Sequence, residues 1–592
     1  MYSLDVLDRH TMMIELSNID DKETLKKIGA GWNPNIFRWV LPLSIWNIEW
    51  LRDNLKQDYQ YSSTIQDFIA LRKDIEHDLE QTRQLILKNN DIPFRIKDFK
   101  INPYPYQKLG ICYGISHPSG IIIGDEPGLG KTCQAIGIAS FLKSRNLIKN
   151  CLIITPASLK WNWPIEIYKF TNETYTVIDG KNPQERIERW SNDTFFHIAN
   201  FELIVEDLFC SRSVNIKASD TKKKMDQKLK KIQTLLAKQE KLKFLVDRGW
   251  DCIIVDEAHY IKTHTSKRTK CVKALGQKSR YRFALTGTPL DGCLEDIHSI
   301  VEFVDPSVFP PINYTLHRYA IMNQYIPGKV DKYIRIDEFK ERIKYCFIRR
   351  RTKEVLKDLP DIIPQDRFVE LSQDEKTIYD KLKTGKLSET TSKDDINPMV
   401  LALRLKQFCD HPSLIGFTEL ESAKYKAFKE TLEEIVINNG HKVLVFTQYT
   451  TMAEKLINIL EELNLKYMYI CGDTDKKERA DMQAKFNDDK SIDVMLGTDA
   501  MSVGLNFTAA DVVINYDDAW SPSVMSQRAK RCHRINQKNT VLVINYVCRN
   551  TIEERIRHVL LHKTEVINSI TDDSADEVIL QKLSKKAVKE LL

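Results

Sequence analysis

Residues 121–135 read I-I-I-G-D-E-P-G-L-G-K-T-C-Q-A. A short apolar run, typical of a buried strand, is followed by a glycine-bearing turn and then by residues compatible with a helix. Gly128 and Gly130 allow the backbone to turn its N–H groups toward a phosphate, and the start of the helix adds a partial positive charge. In such a loop Lys131 reaches the β- and γ-phosphates, and the Thr132 hydroxyl holds Mg²⁺. The stretch therefore predicts a site for a nucleoside triphosphate.

The loop departs from the strict phosphate-binding pattern at one position, because that pattern has glycine where this chain has Asp125. Taken by itself, the loop is also compatible with an ordinary glycine turn, so its interpretation depends on the rest of the chain. Upstream, Tyr106 and Gln107 lie in the segment I-N-P-Y-P-Y-Q-K-L-G, residues 101–110. The glutamine amide offers a donor and an acceptor that fit the adenine edge, which favours ATP among the triphosphates.

The composition indicates a soluble globular protein of several domains. The chain has 592 residues, of which 42% are hydrophobic and 29% are charged. Its formal net charge of +6 permits a polyanionic partner without requiring one. The twelve cysteines include no C-x-x-C pair, which argues against a zinc ribbon or a disulfide framework. Without a bilayer-spanning run or a signal-like start, the expected location is the cytoplasm or nucleoid of a prokaryote or virus, or the nucleus of a eukaryote.

Further strand-like runs follow the loop and end in polar residues. They cover Cys151–Thr155, Phe195–Ala199, Asp251–Val255 and Phe283–Leu285. The third run leads into D-E-A-H, in which Asp256 can hold the Mg²⁺ water shell and Glu257 can orient and deprotonate an attacking water. Strands that alternate with helices predict a parallel sheet covered on both faces, with ligands at the carboxyl ends of the strands.

A second alternating region begins at residue 442. Its strand-like runs are 442–446, 467–471, 494–496 and 512–516. The region ends in Q-R-A-K-R-C-H-R-I-N-Q, where Gln527, Arg531 and Arg534 fall on one helix face at spacings of four and three. Arginine side chains from a second domain can neutralise the charge that develops on a γ-phosphate. The alternative is a basic helix packed at a domain boundary.

Three other segments leave alternatives open. The first 56 residues carry four tryptophans, which form either the core of a small strand-containing module or a surface that stacks on unpaired bases. The insertion 211–248 holds ten lysines and predicts either a solvated helix face or contact with a nucleic-acid backbone. The triple arginine 349–351 is compatible with contact to phosphates or with a surface salt-bridge face.

The ordered blocks between about residues 100 and 560 resemble the Swi/Snf-type ATPases, a branch of helicase superfamily two. The resemblance rests on D-E-P-G-L-G-K-T, P-A-S-L-K-W-N-W-P-I-E, D-E-A-H-Y-I-K, L-T-G-T-P-L, R-R-R-T-K-E-V-L-K-D-L-P, L-K-Q-F-C-D-H-P, G-L-N-F-T-A-A-D, Y-D-D-A-W-S-P and R-C-H-R-I-N-Q. Aspartate is usual in this family at the position of Asp125, which accounts for the missing glycine. The chain departs from the family at Pro127, Asp291-Gly292, Ser521 and Asn536, none of which is a predicted metal ligand, base or arginine finger.

The resemblance implies an α/β fold in which two RecA-like lobes close on ATP and step along double-stranded DNA. Each lobe is a parallel sheet with helices on both faces. The domains expected from the sequence are a small α+β Trp-rich module (1–56), a helical linker (57–99), a first lobe with the lysine-rich insertion 211–248 (100–312), helical insertions and an inter-lobe linker (313–435), a second lobe (436–560) and a C-terminal helical extension (561–592).

Site residues are carried over by motif. The ATP-binding set is Tyr106, Gln107, Asp125, Gly128, Gly130, Lys131, Thr132 and Gly504, and the catalytic set is Lys131, Asp256, Glu257, Gln527, Arg531 and Arg534. Thr132 and Asp256 would hold Mg²⁺ through ATP. The DNA-side set is Ser158, Lys160, Asn200, Gln448, Thr498 and Asn506, which would grip phosphates of double-stranded or branched DNA without reading bases.

Residues 25–43 read L-K-K-I-G-A-G-W-N-P-N-I-F-R-W-V-L-P-L. This short stretch resembles the HARP domain of annealing helicases. This second resemblance would narrow the activity to fork remodelling or strand annealing in repair or recombination. Two alternatives remain open: a strand-separating helicase on DNA or RNA, and an inactive DNA-binding scaffold. The presence of Lys131, Asp256, Glu257, Arg531 and Arg534 argues against a scaffold.

Overall fold

The computed structural model describes residues 2–8, 11–16, 21–28, 30–55, 58–87, 95–180, 183–208, 249–287, 293–309, 311–323, 330–356, 359–384, 398–502, 504–534 and 537–571. The chain divides into two compact units with a boundary between Arg350 and Arg351, and the loop residues Pro127–Leu129 are grouped with the second unit. Each unit contains one large parallel sheet.

The first unit is built on a seven-stranded parallel sheet. Its strand order is Phe347–Ile348, Ile122–Ile123, Tyr281–Leu285, Cys252–Asp256, Cys151–Thr155, Phe196–Asn200 and Tyr175–Val177. The main helices are Pro105–Ser116, Lys131–Ser144, Asn162–Phe170, Pro183–Trp190, Phe201–Leu208, Lys267–Gly276 and Leu294–Val304. Because the strands are parallel, the loops after their carboxyl ends lie along one edge of the sheet.

The second unit contains a six-stranded parallel sheet. Its strand order is Ile362–Val369, Val541–Cys548, Val512–Asn515, Val443–Phe446, Val494–Gly497 and Tyr467–Ile470. The main helices are Gln373–Lys383, Pro398–Asp410, Ala423–Leu432, Thr450–Glu462, Lys476–Asp488, Pro522–Ala529 and Ile552–Thr571. Two parallel α/β sheets on successive parts of the chain confirm the predicted fold class of two RecA-like lobes.

The segment 313–435, predicted as helical insertions and an inter-lobe linker, also contains strands. Besides helices such as Ile312–Tyr319 and Ile336–Ile343, it contains a short antiparallel pair, Ala320–Met322 with Val330–Tyr333. It also supplies the edge strand Phe347–Ile348 to the first sheet and the edge strand Ile362–Val369 to the second.

The edge strand Ile362–Val369 was missed for a physical reason. Only its last residue is buried, and it contains Pro364, so it lacks the apolar pattern of a buried strand. A proline is tolerated there because an edge strand leaves one side of its backbone unpaired.

The amino-terminal module has a sheet of its own, in the order Gly31–Asn33, Arg38–Pro42, Thr11–Leu16, Tyr2–Asp8 and Tyr59–Tyr61. Its helices are Lys22–Lys27 and Ile45–Asn54. The fifth strand lies beyond the predicted boundary at residue 56. Ile65 and Phe68, from the helix Ser63–Leu87, pack into the core of the module. The module therefore continues into the helix that was predicted as a separate linker.

The tryptophans of the module divide between its core and its surface. Trp39 is 8% exposed, whereas Trp32 is 50% exposed, and their rings meet edge-on with centroids 5.7 Å apart. Phe37 is 69% exposed at the turn between the strands that carry these two residues. Trp39 therefore belongs to the core, and Trp32 and Phe37 form an exposed aromatic hairpin.

Several predicted features lie outside the described residues, namely the lysine-rich insertion 211–248, positions 291, 292 and 536, and the extension beyond Thr571. Within the described ranges, no helix is both long and apolar enough to cross a membrane.

Candidate functional site

The predicted phosphate loop follows the strand Ile122–Ile123 and ends at the helix Lys131–Ser144. Gly128 and Gly130 have φ angles of 96° and 76°, in the left-handed region that favours glycine. The Lys131 ammonium is folded over the loop and donates to the carbonyl oxygens of Asp125 at 2.8 Å and Glu126 at 3.4 Å. The loop thus has the glycine-dependent turn that a phosphate cradle requires.

Asp125 fastens this loop to the interior of the first unit. Its fully buried carboxylate accepts hydrogen bonds from the Arg350 backbone N–H at 3.1 Å, from Arg350 Nε at 3.0 Å and from Gln134 Nε2 at 2.9 Å. Arg350 Nη2 also donates to this carboxylate, and Arg350 Nη1 donates to the carbonyl oxygen of Tyr106. Both carboxylate oxygens of Asp125 are engaged inside the protein, where they position the loop, and a contact of Asp125 with the nucleotide stays a prediction.

Arg350 reaches Asp125 because the edge strand Phe347–Ile348 runs beside the loop. Gly124 N–H donates to the Ile348 carbonyl at 2.7 Å, and Glu126 N–H donates to the Arg350 carbonyl at 3.1 Å. The triple arginine was predicted either to contact phosphates or to form a surface salt-bridge face. Arg350 is only 4% exposed and is paired with Asp125, so this arginine is not part of a surface face. The sequence signal for this pair was the acid in a glycine position, because a buried carboxylate requires a partner.

Gln107 and Tyr106 lie next to the loop. The Gln107 amide oxygen accepts from the Tyr104 backbone N–H at 3.0 Å, at the start of the helix Pro105–Ser116. A Cβ at position 130 would collide with the Gln107 amide nitrogen, which is a second reason for glycine there. Both residues are buried, Tyr106 at 2% and Gln107 at 5% exposed. The contact of Gln107 with adenine and the part of Tyr106 in ATP binding stay predictions.

Asp256 ends the strand Cys252–Asp256 on the same edge of the sheet as the loop. Its Oδ2 accepts from Thr155 Oγ1 at 3.1 Å and from Trp163 Nε1 at 3.0 Å. Burial, together with the neighbouring Glu257 carboxylate, raises the pKa of Asp256 to about 6, whereas the nearby Lys131 ammonium acts to lower it. Thr155 and Trp163 were missed by the sequence analysis, and they fix the direction in which this carboxylate points.

Glu257 has a backbone conformation that is rare for a side chain of its type. Its φ and ψ are 49° and 56°, in the left-handed region. Such a conformation costs about 1–3 kcal/mol in a residue other than glycine and is frequent at active sites. One Glu257 carboxylate oxygen lies 3.2 Å from Nδ1 of His259. The acid box is therefore held in a defined and strained geometry.

The DNA-side candidates of the first unit differ in accessibility. Ser158 is exposed after the strand Cys151–Thr155. Asn200 is 7% exposed, its amide nitrogen donates to Glu202 at 2.7 Å, and its buried Oδ1 accepts no hydrogen bond from the described residues. Lys160 is 4% exposed, and its ammonium donates to Asp179 at 2.7 Å. The Asp179 side chain is 45% exposed, so this ion pair is only partly buried, and the phosphate contact of Lys160 stays a prediction.

In the second unit the helix Pro522–Ala529 ends before the predicted arginine fingers. Gln527 lies on this helix, whereas Arg531 and Arg534 lie in the turns after it, so the three do not share one helix face as predicted. Arg531 is 5% exposed and donates to the carbonyl oxygens of Leu505 at 2.9 Å and Gln527 at 3.0 Å. Arg534 is partly exposed and donates through Nε to the Lys530 carbonyl at 3.0 Å.

The other candidates of the second unit follow its parallel strands. Gln448 comes after Val443–Phe446, and Thr498, 7% exposed, comes directly after Val494–Gly497. Gly504 has a φ of 77° in the left-handed region. The backbone N–H of Asn506 donates to Gln483 Oε1 at 2.9 Å, and its buried Oδ1 accepts no hydrogen bond within the described ranges. Neighbouring parallel strands therefore bring Gln448 and Thr498 to one edge of the second sheet.

The sequence of residues 44–414 matches the family described as SNF2-related domain, and residues 423–536 match the helicase conserved C-terminal domain. The first match covers more than half of the chain. The chain belongs to the SNF2-related family. The predicted Swi/Snf-type resemblance is thereby confirmed.

Curated relatives of this SNF2-related chain come from bacteria and eukaryotes. An uncharacterized ATP-dependent helicase of Mycoplasma genitalium is 31% identical over 85% of this chain and 46% of its own length. The putative ATP-dependent helicase/translocase YwqA of Bacillus subtilis is 27% identical over 87% of this chain and 54% of its own length. Nuclear protein STH1/NPS1 of Saccharomyces cerevisiae is 27% identical over 80% of this chain and 36% of its own length. The chain thus spans about half of these relatives or less.

Among solved structures, this SNF2-related chain is similar to the Sulfolobus solfataricus SWI2/SNF2 ATPase core in complex with dsDNA. The identity is 27% and the TM-score is 0.38, over 81% of this chain and 94% of that one.

Proposed function

We propose that this SNF2-related protein hydrolyses ATP to move along double-stranded DNA and thereby remodels DNA or DNA–protein complexes. The observation that carries the proposal is the first-unit site. A glycine-turned loop with Lys131 and an acid box at Asp256 and Glu257 occupy one edge of a parallel sheet. That pairing is what ATP hydrolysis requires, because one part holds the phosphates and the other orients the attacking water.

The donor set fits Mg²⁺ as the metal that accompanies ATP. The Thr132 hydroxyl and the Asp256 carboxylate are hard oxygen donors, which Mg²⁺ prefers. The pKa of Asp256 is raised to about 6 by burial and by the adjacent Glu257, and a divalent cation would stabilise the ionised form of this carboxylate. Bound Mg²⁺ would neutralise phosphate charge, while Glu257 takes the proton of the attacking water.

The partner that we propose is duplex DNA, held through its phosphates. Asn200 is the last residue of a parallel strand in the first unit, and Ser158 lies after another. Gln448, Thr498 and Asn506 lie after parallel strands of the second unit. All five carry uncharged donors suited to phosphate oxygens. Gln527, Arg531 and Arg534 would stabilise the triphosphate during turnover. Of the two arginines, Arg534 is the more exposed, so we assign the stronger effect on turnover to it.

Motion along duplex DNA can be tested by displacement of a third strand. With ATP, the protein should displace a triplex-forming strand from a duplex, and duplex DNA should stimulate ATP hydrolysis at least about tenfold, equivalent to 1.4 kcal/mol. The matched samples contain single-stranded DNA or RNA at equal nucleotide concentration. Stimulation by single strands or RNA alone would favour a strand-separating helicase, and no stimulation by any nucleic acid would favour a scaffold.

A narrower role in fork remodelling or strand annealing is favoured by the exposed aromatic hairpin of the amino-terminal module. Trp32 and Phe37 are 50% and 69% exposed, and stacking of a base on an aromatic side chain contributes about 1–3 kcal/mol. Removal of residues 1–56 would cut the module before its fifth strand, so point substitutions are the better test.

The double variant Trp32→Ala/Phe37→Ala should slow rewinding of a bubble coated with single-strand-binding protein by about tenfold or more, because two stacking surfaces are lost. Its duplex-stimulated ATP hydrolysis should stay at the wild-type rate. Leu7→Ala is the matched control, since Leu7 is a 39% exposed apolar side chain of the same module. Rewinding at the wild-type rate by the double variant would contradict the annealing role and leave the translocase proposal standing.

A further inference from the structure

Lys406 is a buried cation that joins two loops of the second unit. It lies on the helix Pro398–Asp410 and is 1% exposed. Its ammonium donates to the side-chain oxygen of Gln448 at 2.7 Å and to the carbonyl oxygen of Asp518, and it lies 3.8 Å from the Asp517 carboxylate. A charge so deeply buried is stable only when it is paired and hydrogen-bonded, and Lys406 meets both conditions.

The two loops follow neighbouring strands. Gln448 comes after Val443–Phe446, and Asp517 and Asp518 come after Val512–Asn515, which pairs with that strand in parallel register. Lys406 lies on a helix and is therefore not part of this sheet. One side chain from outside the sheet therefore fixes both loops at its carboxyl edge.

The bonds of Lys406 also decide which way the Gln448 carboxamide faces. A lysine ammonium has three donors and no acceptor, so only the amide oxygen can face it. The two N–H donors of the amide are then turned away from Lys406, and they donate to no acceptor among the described residues. Gln448 is partly exposed, so these donors remain available to an external acceptor.

The backbone of Gln448 is fixed as well. The buried Asp517 carboxylate accepts from the Gln448 N–H at 2.9 Å and from Thr447 Oγ1 at 2.6 Å. The position of the residue is thus set by Asp517, and the direction of its amide is set by Lys406. Because the backbone position and the amide direction are fixed before binding, a contact made by this side chain costs less conformational entropy.

We propose that Lys406 is a positioning residue for the grip on DNA, which orients the Gln448 amide so that its N–H groups donate to a backbone phosphate of the duplex. The inference rests on the proposed function, because it requires that Gln448 contacts DNA. Lys406 itself acts through Gln448 and does not touch the nucleic acid.

The test is a double-mutant cycle on the duplex concentration that gives half-maximal stimulation of ATP hydrolysis. Lys406→Met and Gln448→Ala should each raise this concentration about three- to tenfold, the effect of one lost hydrogen bond of about 1 kcal/mol. The maximal rate at saturating DNA should change less than twofold. The double variant should match Gln448→Ala, because Lys406 acts only by way of that amide.

Lys442→Met is the matched control. Lys442 donates to the carbonyl oxygens of Phe486 at 2.7 Å and Asp489 at 2.8 Å, so its loss also removes an ammonium bonded to oxygens. Lys442 directly precedes the amino end of the strand Val443–Phe446, opposite to Gln448, and the half-maximal DNA concentration should stay at the wild-type value in this variant.

Three outcomes would overturn the inference: additive effects in the cycle, a Lys406→Met variant that binds duplex like the wild type, or a maximal rate that falls with no change in the duplex concentration for half-maximal stimulation.

If Lys406→Met does not fold, Lys406→Arg takes its place. Arginine also has only donors, so the duplex concentration for half-maximal stimulation should stay within about twofold of the wild-type value. A rise in this concentration equal to that of Gln448→Ala would overturn the inference. A wild-type protein that duplex DNA does not stimulate would instead contradict the proposed function.

Discussion

Glu257→Gln should lower the rate of ATP hydrolysis by about 10²–10⁴-fold, the usual contribution of a general base. Glutamine retains the shape and polarity of glutamate but cannot accept a proton. The affinity for ATP should therefore remain near the wild-type value. Lys131→Ala should reduce turnover by a similar factor and should also weaken ATP binding, because the ammonium at the phosphate loop is lost.

The two variants are best compared by steady-state ATP hydrolysis, binding of a fluorescent ATP analogue and duplex binding in a mobility-shift assay. Duplex binding should survive in both, because neither side chain belongs to the DNA-side set. Glu185→Gln is a suitable control, since Glu185 is an exposed glutamate of the same unit. Turnover within about tenfold of the wild-type rate in Glu257→Gln would exclude this residue as the base.

Those parts of the site that are formed by strand ends were predictable from the sequence. Cys151–Thr155 was predicted with the bounds that it has in the structure, and the acid box was placed at the end of its strand. These predictions succeeded because a buried apolar run followed by polar residues is a signal contained in a short stretch of sequence. The same signal located the loops that carry Gln448 and Thr498.

The side chains that hold the site were not predictable, because their partners are distant in the sequence. Arg350 meets Asp125 across 225 positions, and Lys406 meets Gln448 across 42. Trp163 meets Asp256 across 93 positions. Hydrophobic periodicity indicates which face of an element is buried, but it does not indicate which polar side chain forms hydrogen bonds or ion pairs at that face. For the triple arginine 349–351, the sequence left phosphate contact and a surface salt-bridge face open, and neither alternative includes the buried pair with Asp125.

The buried pair of Asp125 and Arg350 has the second large expected effect. Arg350→Met should destabilise the first unit by about 3–5 kcal/mol, because the Asp125 carboxylate would remain buried without its cation. The loss should be visible as a lower denaturant midpoint for the unfolding of that unit. The affinity for ATP should also fall, because the Asp125 hydrogen bonds fix the backbone that precedes the phosphate loop.

The double variant Asp125→Leu/Arg350→Met separates the effect of the unpaired buried charge on stability from the effect of packing. Replacement of both partners by apolar side chains of similar size often restores much of the stability that one replacement removes. We therefore expect the double variant to unfold at a higher denaturant concentration than Arg350→Met, while its ATP affinity stays low. Restored stability with restored ATP binding would show that apolar packing alone can hold the loop.

Arg318→Met is the control for this cycle. Arg318 forms a two-point ion pair with Glu338 in the same unit, at 2.7 and 2.9 Å, but its side chain is 37% exposed, against 5% for Arg350. Water and salt screen an exposed pair, so the unfolding midpoint should move little in Arg318→Met. Equal destabilisation by the two arginine variants would mean that burial of the Asp125 carboxylate is not the source of the effect. The first unit would then hold its phosphate loop mainly through the backbone bonds from Gly124 and Glu126 to the neighbouring strand.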